Sequence, residues 1–300
     1  MATRFQSTLS GSQFTNGVFQ QALSHWNRER LAPSVPGAGS AARIDRDARM
    51  QRLELGFLEE LRDDIRAQAA DAPTDADGFI AWFEGLERTG PGQHDKLFDW
   101  LETSANLDDL ELFLTQEAAG EAGFDDLVAL TQIRLPDRAK MELARNYWDE
   151  MGRGNMKGMH GPMLHYVVDA LGLEPTIERT CWESLALANA MTGMATNRDY
   201  AWHSVGALGV IELTAPARSA AVSKTMRRLG FEPRLRRYFD LHATLDIKHS
   251  EEWNREAIRP LLEDEAEGPL RARAMAEGAL MRLTCGERCF ARYRDMLGVD

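Results

Sequence analysis

Three polar residues in the stretch 238–253 have the types and the spacing of metal ligands. His242, Asp246 and His249 occupy relative positions zero, four and seven, and on an α-helix these steps place them within about 60° of one another. Two imidazoles and a carboxylate with open coordination positions suit ferrous iron that performs oxygen chemistry. A second iron could share the site if other helices supplied carboxylates. The alternative is an exposed polar stripe, because polar residues cover most helix surfaces.

Two glutamates stand in apolar surroundings, where an unpaired carboxylate is costly to bury. Glu117 follows two apolar residues by three and four positions, so we expect it to face inward more than Glu121 does, with a surface pair as the alternative. Glu212 stands among the small and apolar residues of 200–218, and a carboxylate there requires a partner. His203, nine positions earlier, should lie on the opposite face of the helix.

Glu150 and His160 flank a segment that contains three glycines. In a continuous helix their side chains would point about 80° apart. One metal could therefore bind both only if the glycine segment bends or unwinds between them, as glycine permits. His165 is the competing histidine, and its position is more typical of a surface or core residue.

Composition restricts the class of partner. The chain has 35 Lys and Arg against 47 Asp and Glu, a net charge of −12 and a pI of about 5.2. This balance excludes nucleic acid, which requires a positive surface, and favours a neutral or cationic small molecule. No apolar run approaches the ~20 residues of a membrane span, and the N-terminus lacks the apolar core of a secretory signal. We expect a cytoplasmic protein with no membrane partner.

The three cysteines agree with a reducing compartment. Cys285 and Cys289 lie one helical turn apart, and Cys181 is remote from both in sequence. An odd number of cysteines in an acidic chain argues against a disulfide framework. We expect Cys285 and Cys289 to be a reduced, buried or half-buried pair.

The fold class follows from the apolar spacing, which is mostly three and four residues, with little alternation. The chain is predicted to be all-α, with an N-terminal arm and linker in 1–43, accessory helices in 44–105 and the core in 106–300. The segment FQQALSHWNRERL predicts a short helix within the arm, and the first accessory helix should begin near residue 44. Its apolar stripe comprises Met50, Leu53, Leu55, Leu58 and Leu61. Phosphate-loop, dinucleotide, nucleophile-elbow and zinc-cluster motifs are absent from the sequence.

The candidate ligands, taken in order, closely resemble the haem-oxygenase-like diiron oxidase and oxygenase family. The segments FLTQEAAGEAGFDDLVALTQ and MELARNYWDEMGRGN are also similar to iron-containing redox enzymes. The resemblance spans about 107–255, and the motif near its end is the most specific. Its residues are Glu117, Glu150 with His160 ten positions later, Glu212, and His242, Asp246 and His249.

The resemblance implies a seven-helix core, two Fe(II)/Fe(III) ions and O2 as co-substrate. Glu117 and His160 would match ligands of one iron, with Glu212 bridging or nearby. His242, Asp246 and His249 would come from a single core helix. Glu150 matches an additional carboxylate of the N-oxygenating branch, which is absent from the branch that cleaves or desaturates fatty acids. The catalytic residues implied are Glu117, Glu150 and Glu212.

The expected function is that of a diiron oxygenase that oxidises a small molecule by N-oxygenation of an amine, amino acid or guanidine in a biosynthetic pathway. One alternative is a diiron oxidase that desaturates, or cleaves a C–C bond of, an aliphatic or amino acid. A different class is a metal-free helical protein with a structural or partner-binding role. The expected partners are a small-molecule substrate and, as an assembly, a second copy of the chain in a homodimer.

Overall fold

The computed structural model describes residues 12–35, 37, 39–120 and 123–300. Within these ranges the chain is helical and contains no strand, so the predicted all-α class is confirmed. The α-helices are α1 (Gly17–Leu31), α2 (Ser40–Ala69), α3 (Ala76–Thr89), α4 (Lys96–Thr103), α5 (Leu107–Gly120), α6 (Phe124–Thr131), α7 (Asp137–Glu150), α8 (His160–Ala170), α9 (Trp182–Thr196), α10 (Ala201–Arg228), α11 (Pro233–Glu252), α12 (Arg259–Leu262) and α13 (Gly268–Leu297). A π-helical turn, Trp253–Ile258, joins α11 to α12.

Helix α10 is the centre of the bundle and packs against α4, α9, α11 and α13. Two glycines allow α10 and α13 to approach with their backbones nearly in contact. A Cβ atom at Gly206 would lie 2.0 Å from the carbonyl oxygen of Met275, and one at Gly278 would lie 1.9 Å from that of His203. No other residue has room at these positions, so the crossing depends on both glycines.

The same helix is unusually apolar. Among the described residues, Arg198–Arg228 is the one helical stretch long and apolar enough to cross a bilayer by length and composition. Its apolar window is 56% buried inside the protein, and the buried helix of a packed core satisfies the same test. The packing of α10 among other helices accounts for this composition.

The two N-terminal helices cover one side of the bundle. The short helix predicted in the arm is α1, whose Asn16 side chain accepts a hydrogen bond from the backbone N–H of Phe19 and caps the helix. The predicted accessory helix is α2, which begins at Ser40 and packs on α9 and α13. The prediction that Leu55 belongs to the buried stripe is wrong, because its side chain is 43% exposed. Two residues after Leu53 the helix has turned by about 200°, so Leu55 lies on the opposite face.

The cysteines are free. Cys285 and Cys289 are buried in α13, as predicted, and Cys181 is half-buried at the start of α9. Burial raises the pKa of each of the three thiols, so none of them is an activated thiolate.

Candidate metal centre

Two groups of three potential ligands come together inside the bundle. In each group, one ligand atom per residue lies within 4.8 Å of the others. Five of the six side chains are buried, and the sixth, His242, is half-buried. Carboxylates mixed with imidazoles are ligands that iron accepts. The first group is Glu150, His160 and His242, and the second is Glu212, Asp246 and His249.

Helix α11 connects the two groups. The sequence predicted that His242, Asp246 and His249 share one face of a helix, and all three lie on α11 and belong to these groups. The structure divides them, with His242 in the first group and Asp246 and His249 one to two turns later in the second. The stripe can therefore supply ligands to two neighbouring ions.

The glycine segment brings Glu150 and His160 together as the sequence required. Helix α7 ends at Glu150, Gly152 adopts a positive φ of 61°, and an antiparallel bridge joins Met151 to Met159. A Cβ atom at Gly152 would lie 2.4 Å from the carbonyl carbon of Gly158. The resulting tight turn places Nδ1 of His160 2.7 Å from Oε2 of Glu150. A continuous helix would hold these two side chains apart.

His242 is oriented by its own helix. Its Nδ1 atom lies 2.8 Å from the carbonyl oxygen of Tyr238 and can donate a hydrogen bond to it. This leaves Nε2 with its lone pair directed at the first group, 3.1 Å from Nδ1 of His160. Metal-binding histidines typically have their second ring nitrogen held in this way.

His249 shows the same arrangement in the second group. Its Nε2 atom lies 3.1 Å from Oδ2 of Asp149, and its Nδ1 atom lies 3.4 Å from Oε2 of Glu212. Within the described part of the chain, this Nδ1 is buried and has no hydrogen-bond partner. Its contact with Glu212 is therefore an ion pair without good hydrogen-bond geometry, and an ion between this nitrogen and the carboxylates of the group would replace it.

Each group contains one residue whose pKa keeps it protonated at pH 7. Burial raises the pKa of Glu150 to about 8 and lowers that of His160 to about 4, so the proton of this pair resides on the carboxyl. Burial alone would lower the pKa of His249, but Glu212 and Asp149 outweigh it and raise the pKa to about 9. A cation that binds either group must displace a proton.

The side chains behind the ligands were not predicted. Asn146 donates a hydrogen bond of 2.6 Å to Oε1 of Glu212, and Asp149 binds both His249 and Arg153. Asn146 and Asp149 lie on the buried face of α7, which also carries Glu150. Their spacing of three and four residues from Asn146 to Asp149 and Glu150 could have indicated that these polar side chains share one face of the helix.

Several predicted positions lie outside both groups. Glu117 is in neither group but lines the same cavity. Burial raises its pKa, and the Tyr293 hydroxyl and nearby guanidinium groups partly oppose the rise. His165 is exposed, and His203 faces away as predicted, 3.0 Å from Glu277. Glu121 lies outside the described residues.

The two groups open onto one cavity of about 590 Å³. This volume suits a small molecule. Five of the six grouped ligands line the cavity, and the rest of its wall is largely apolar. The aromatic residues in this wall are Phe98, Phe113, Phe124, Tyr238, Phe239 and Phe290.

Comparisons with known proteins identify a family and a fold. Residues 111–287 match the model of a family described as iron-containing redox enzymes, a range that is more than half of the chain and holds all seven predicted ligands. The chain is also similar to the structure of a domain of unknown function with a heme oxygenase-like fold from Shewanella denitrificans OS217. The identity is 13%, the TM-score is 0.50, and the match covers 74% of this chain and 92% of that one. No curated protein matches. The predicted heme-oxygenase-like fold is therefore confirmed.

Proposed function

The chain belongs to the iron-containing redox enzyme family, and from this premise we propose that it is a non-haem diiron oxygenase that uses O2 to oxidise a small molecule. The observation that carries the proposal is the pair of three-ligand groups on one cavity. Two ferrous ions bound there would supply the electrons that reduce O2. Glu150, His160 and His242 would hold one ion, and Glu212, Asp246 and His249 the other.

The residues around the ligands prepare the site for two cations. Asn146 fixes the orientation of Glu212, and Asp149 holds the ring of His249 from behind. Contacts of this kind hold metal ligands in their binding orientation. Aromatic side chains line part of the cavity that would receive the substrate.

Within this class we propose N-oxygenation of an amine, amino acid or guanidine. The support is the position of Glu150, which lies beside His160 and His242 rather than on the protein surface. It corresponds to the additional carboxylate expected of the N-oxygenating branch. An oxidase that desaturates or cleaves a carbon chain would not require it, although the apolar wall of the cavity also suits such a substrate.

Anaerobic loading with Fe(II), followed by metal analysis, tests the metal centre. The parent protein should bind two ions per chain. His242→Ala should bind one, because only the first group loses a ligand, and its helix content should not change. His165→Ala is the matched control, since this exposed histidine lies on the same cavity outside both groups. A parent protein that binds no iron would favour the metal-free alternative.

Glu150→Ala separates the two enzyme reactions. If Glu150 is needed for N-oxygenation, the variant should consume O2 with amine-containing substrates without forming the N-oxygenated product. Glu150→Asp should form an amount of N-oxygenated product between those of the parent and Glu150→Ala, because it keeps the carboxylate on a side chain that is one methylene shorter. A variant that retains parental turnover and iron content would make the oxidase the better assignment.

A further inference from the structure

Two arginines line the cavity that the metal-ligating groups share. Arg218 lies on α10, six residues after Glu212, and Arg282 lies on α13. Glu117 lines the cavity with them, and both guanidinium groups are near enough to influence its carboxyl. This region therefore contains two cations and two carboxylates, because Asp246 of the second ligand group also acts on Arg218. The paired cations stand out in a chain whose net charge is −12.

Among the described residues, neither guanidinium has a hydrogen-bond partner for every N–H group. Arg218 donates one hydrogen bond of 3.1 Å to the hydroxyl of Thr214, and its guanidinium carbon lies 5.6 Å from the ring centre of Phe290. In the described part of the chain, Nη1 of Arg282 is buried without a hydrogen-bond partner. Unsatisfied buried donors are rare, and they indicate a missing acceptor.

The backbone makes room for this arrangement. A Cβ atom at Gly286 would lie 2.8 Å from Nη1 of Arg282, so a glycine one turn later lets the guanidinium lie against α13. Burial and the charge of Arg282 lower the pKa of Arg218 to about 9, with Glu117 and Asp246 opposing them. Arg218 therefore remains protonated at pH 7. Two like charges held together under burial are stabilised when an anion joins them.

We propose that Arg218 and Arg282 bind the carboxylate of the substrate. The substrate is then a carboxylic acid with an apolar body that runs along the aromatic wall and presents its far end to the two ligand groups. Guanidinium groups suit this task because they present several donors to a carboxylate at once. Among the substrates considered above, this selects an amino acid over a simple amine. The reaction at the far end rests on the proposed function, but the carboxylate site does not.

Binding to the metal-free protein tests the carboxylate site directly, since no iron is present to attract the anion. Isothermal titration calorimetry would compare 6-aminohexanoate, which has a carboxylate and an amine, with hexylamine, which lacks the carboxylate. 6-Aminohexanoate should bind about 10- to 100-fold more tightly, the range expected for hydrogen bonds between charged groups. Inorganic phosphate should bind more weakly than 6-aminohexanoate, because it has no apolar body.

Variants identify the groups responsible. Arg282→Met should remove most of the preference for 6-aminohexanoate, and Arg218→Met provides a second test if the first variant does not fold. Arg273→Met is the matched control, because Arg273 lies on the same helix and outside the cavity lining. Its binding of 6-aminohexanoate should equal that of the parent.

Three results would overturn the inference: equal binding of hexylamine, equal binding of phosphate, or an unchanged preference in the two cavity variants. Iron loading of the same proteins keeps this result separate from the proposed function. Arg282→Met should still bind two ferrous ions. A protein that binds no iron but shows the arginine-dependent preference would refute the oxygenase and retain the carboxylate site.

Discussion

Binding of two ferrous ions at pH 7 should release about two protons from the protein. Glu150, with a pKa of about 8, is about nine-tenths protonated at this pH, and His249, with a pKa of about 9, is almost fully protonated. Both groups must lose the proton before they can bind an ion. His160 contributes none, because burial lowers its pKa to about 4. At pH 8.5 the release should decrease to about one proton, since both groups are then partly deprotonated.

The number of protons is measurable by anaerobic calorimetry. Titration of Fe(II) in two buffers with different ionisation enthalpies gives the number of protons from the difference in heat. Glu150→Gln should release about one proton fewer at pH 7, because an amide has no proton to lose in this range. His165→Ala should behave as the parent does. If the parent binds two ions at pH 7 without releasing protons, then Glu150 and His249 are not ligands in the way inferred above.

The remaining predictions concern a turn, a helix crossing and a buried carboxyl. Gly152→Ala should reduce ferrous binding from two ions to one and lower the Tm, because its Cβ atom would lie 2.4 Å from the facing backbone. Gly85→Ala is the control, because nothing lies within 4 Å of a Cβ atom at that position. Gly206→Ala should lower the free energy of unfolding by about 3 kcal/mol in chemical denaturation, the upper end of the usual cost of overpacking, since α10 and α13 would have to separate. For Glu150, the folded pKa is above the unfolded value, so the folded state holds the extra proton and loses stability as pH rises from about 4.5 to about 8. Glu150→Gln should flatten this dependence in the metal-free protein by up to about 1.4 kcal/mol per pH unit, and an unchanged slope would contradict the assignment.

The sequence predicted those features of the site that depend on one helix or one turn. The positions of His242, Asp246 and His249 on a single face follow from helical geometry, whatever surrounds the helix. The break between Glu150 and His160 was predictable in the same way, because glycines and an incompatible angle lie between them. Local geometry is sufficient for these features because they involve few long-range contacts.

The features that were missed depend on how helices pack. Spacing along α11 cannot show that its three ligands divide between two groups, since that division is set by the positions of α7, α8 and α10. Glu117 faces inward as predicted, yet it meets a guanidinium environment rather than either ligand group, because α13 lies opposite. Asp149 was overlooked because its role becomes visible only when His249 is placed beside it.

The arginines and the ligand groups perform complementary tasks in one acidic protein. Once deprotonated, the carboxylates of Glu150, Glu212 and Asp246 carry three negative charges against four positive charges on two ferrous ions, which leaves the buried centre cationic. A substrate carboxylate would be attracted to such a centre and would displace the group that has to react. Arg218 and Arg282 offer that carboxylate a different partner in the same cavity. Under the proposed function, the substrate would thereby be oriented with its amine, rather than its acid, toward the two ligand groups, which is the orientation that N-oxygenation would require.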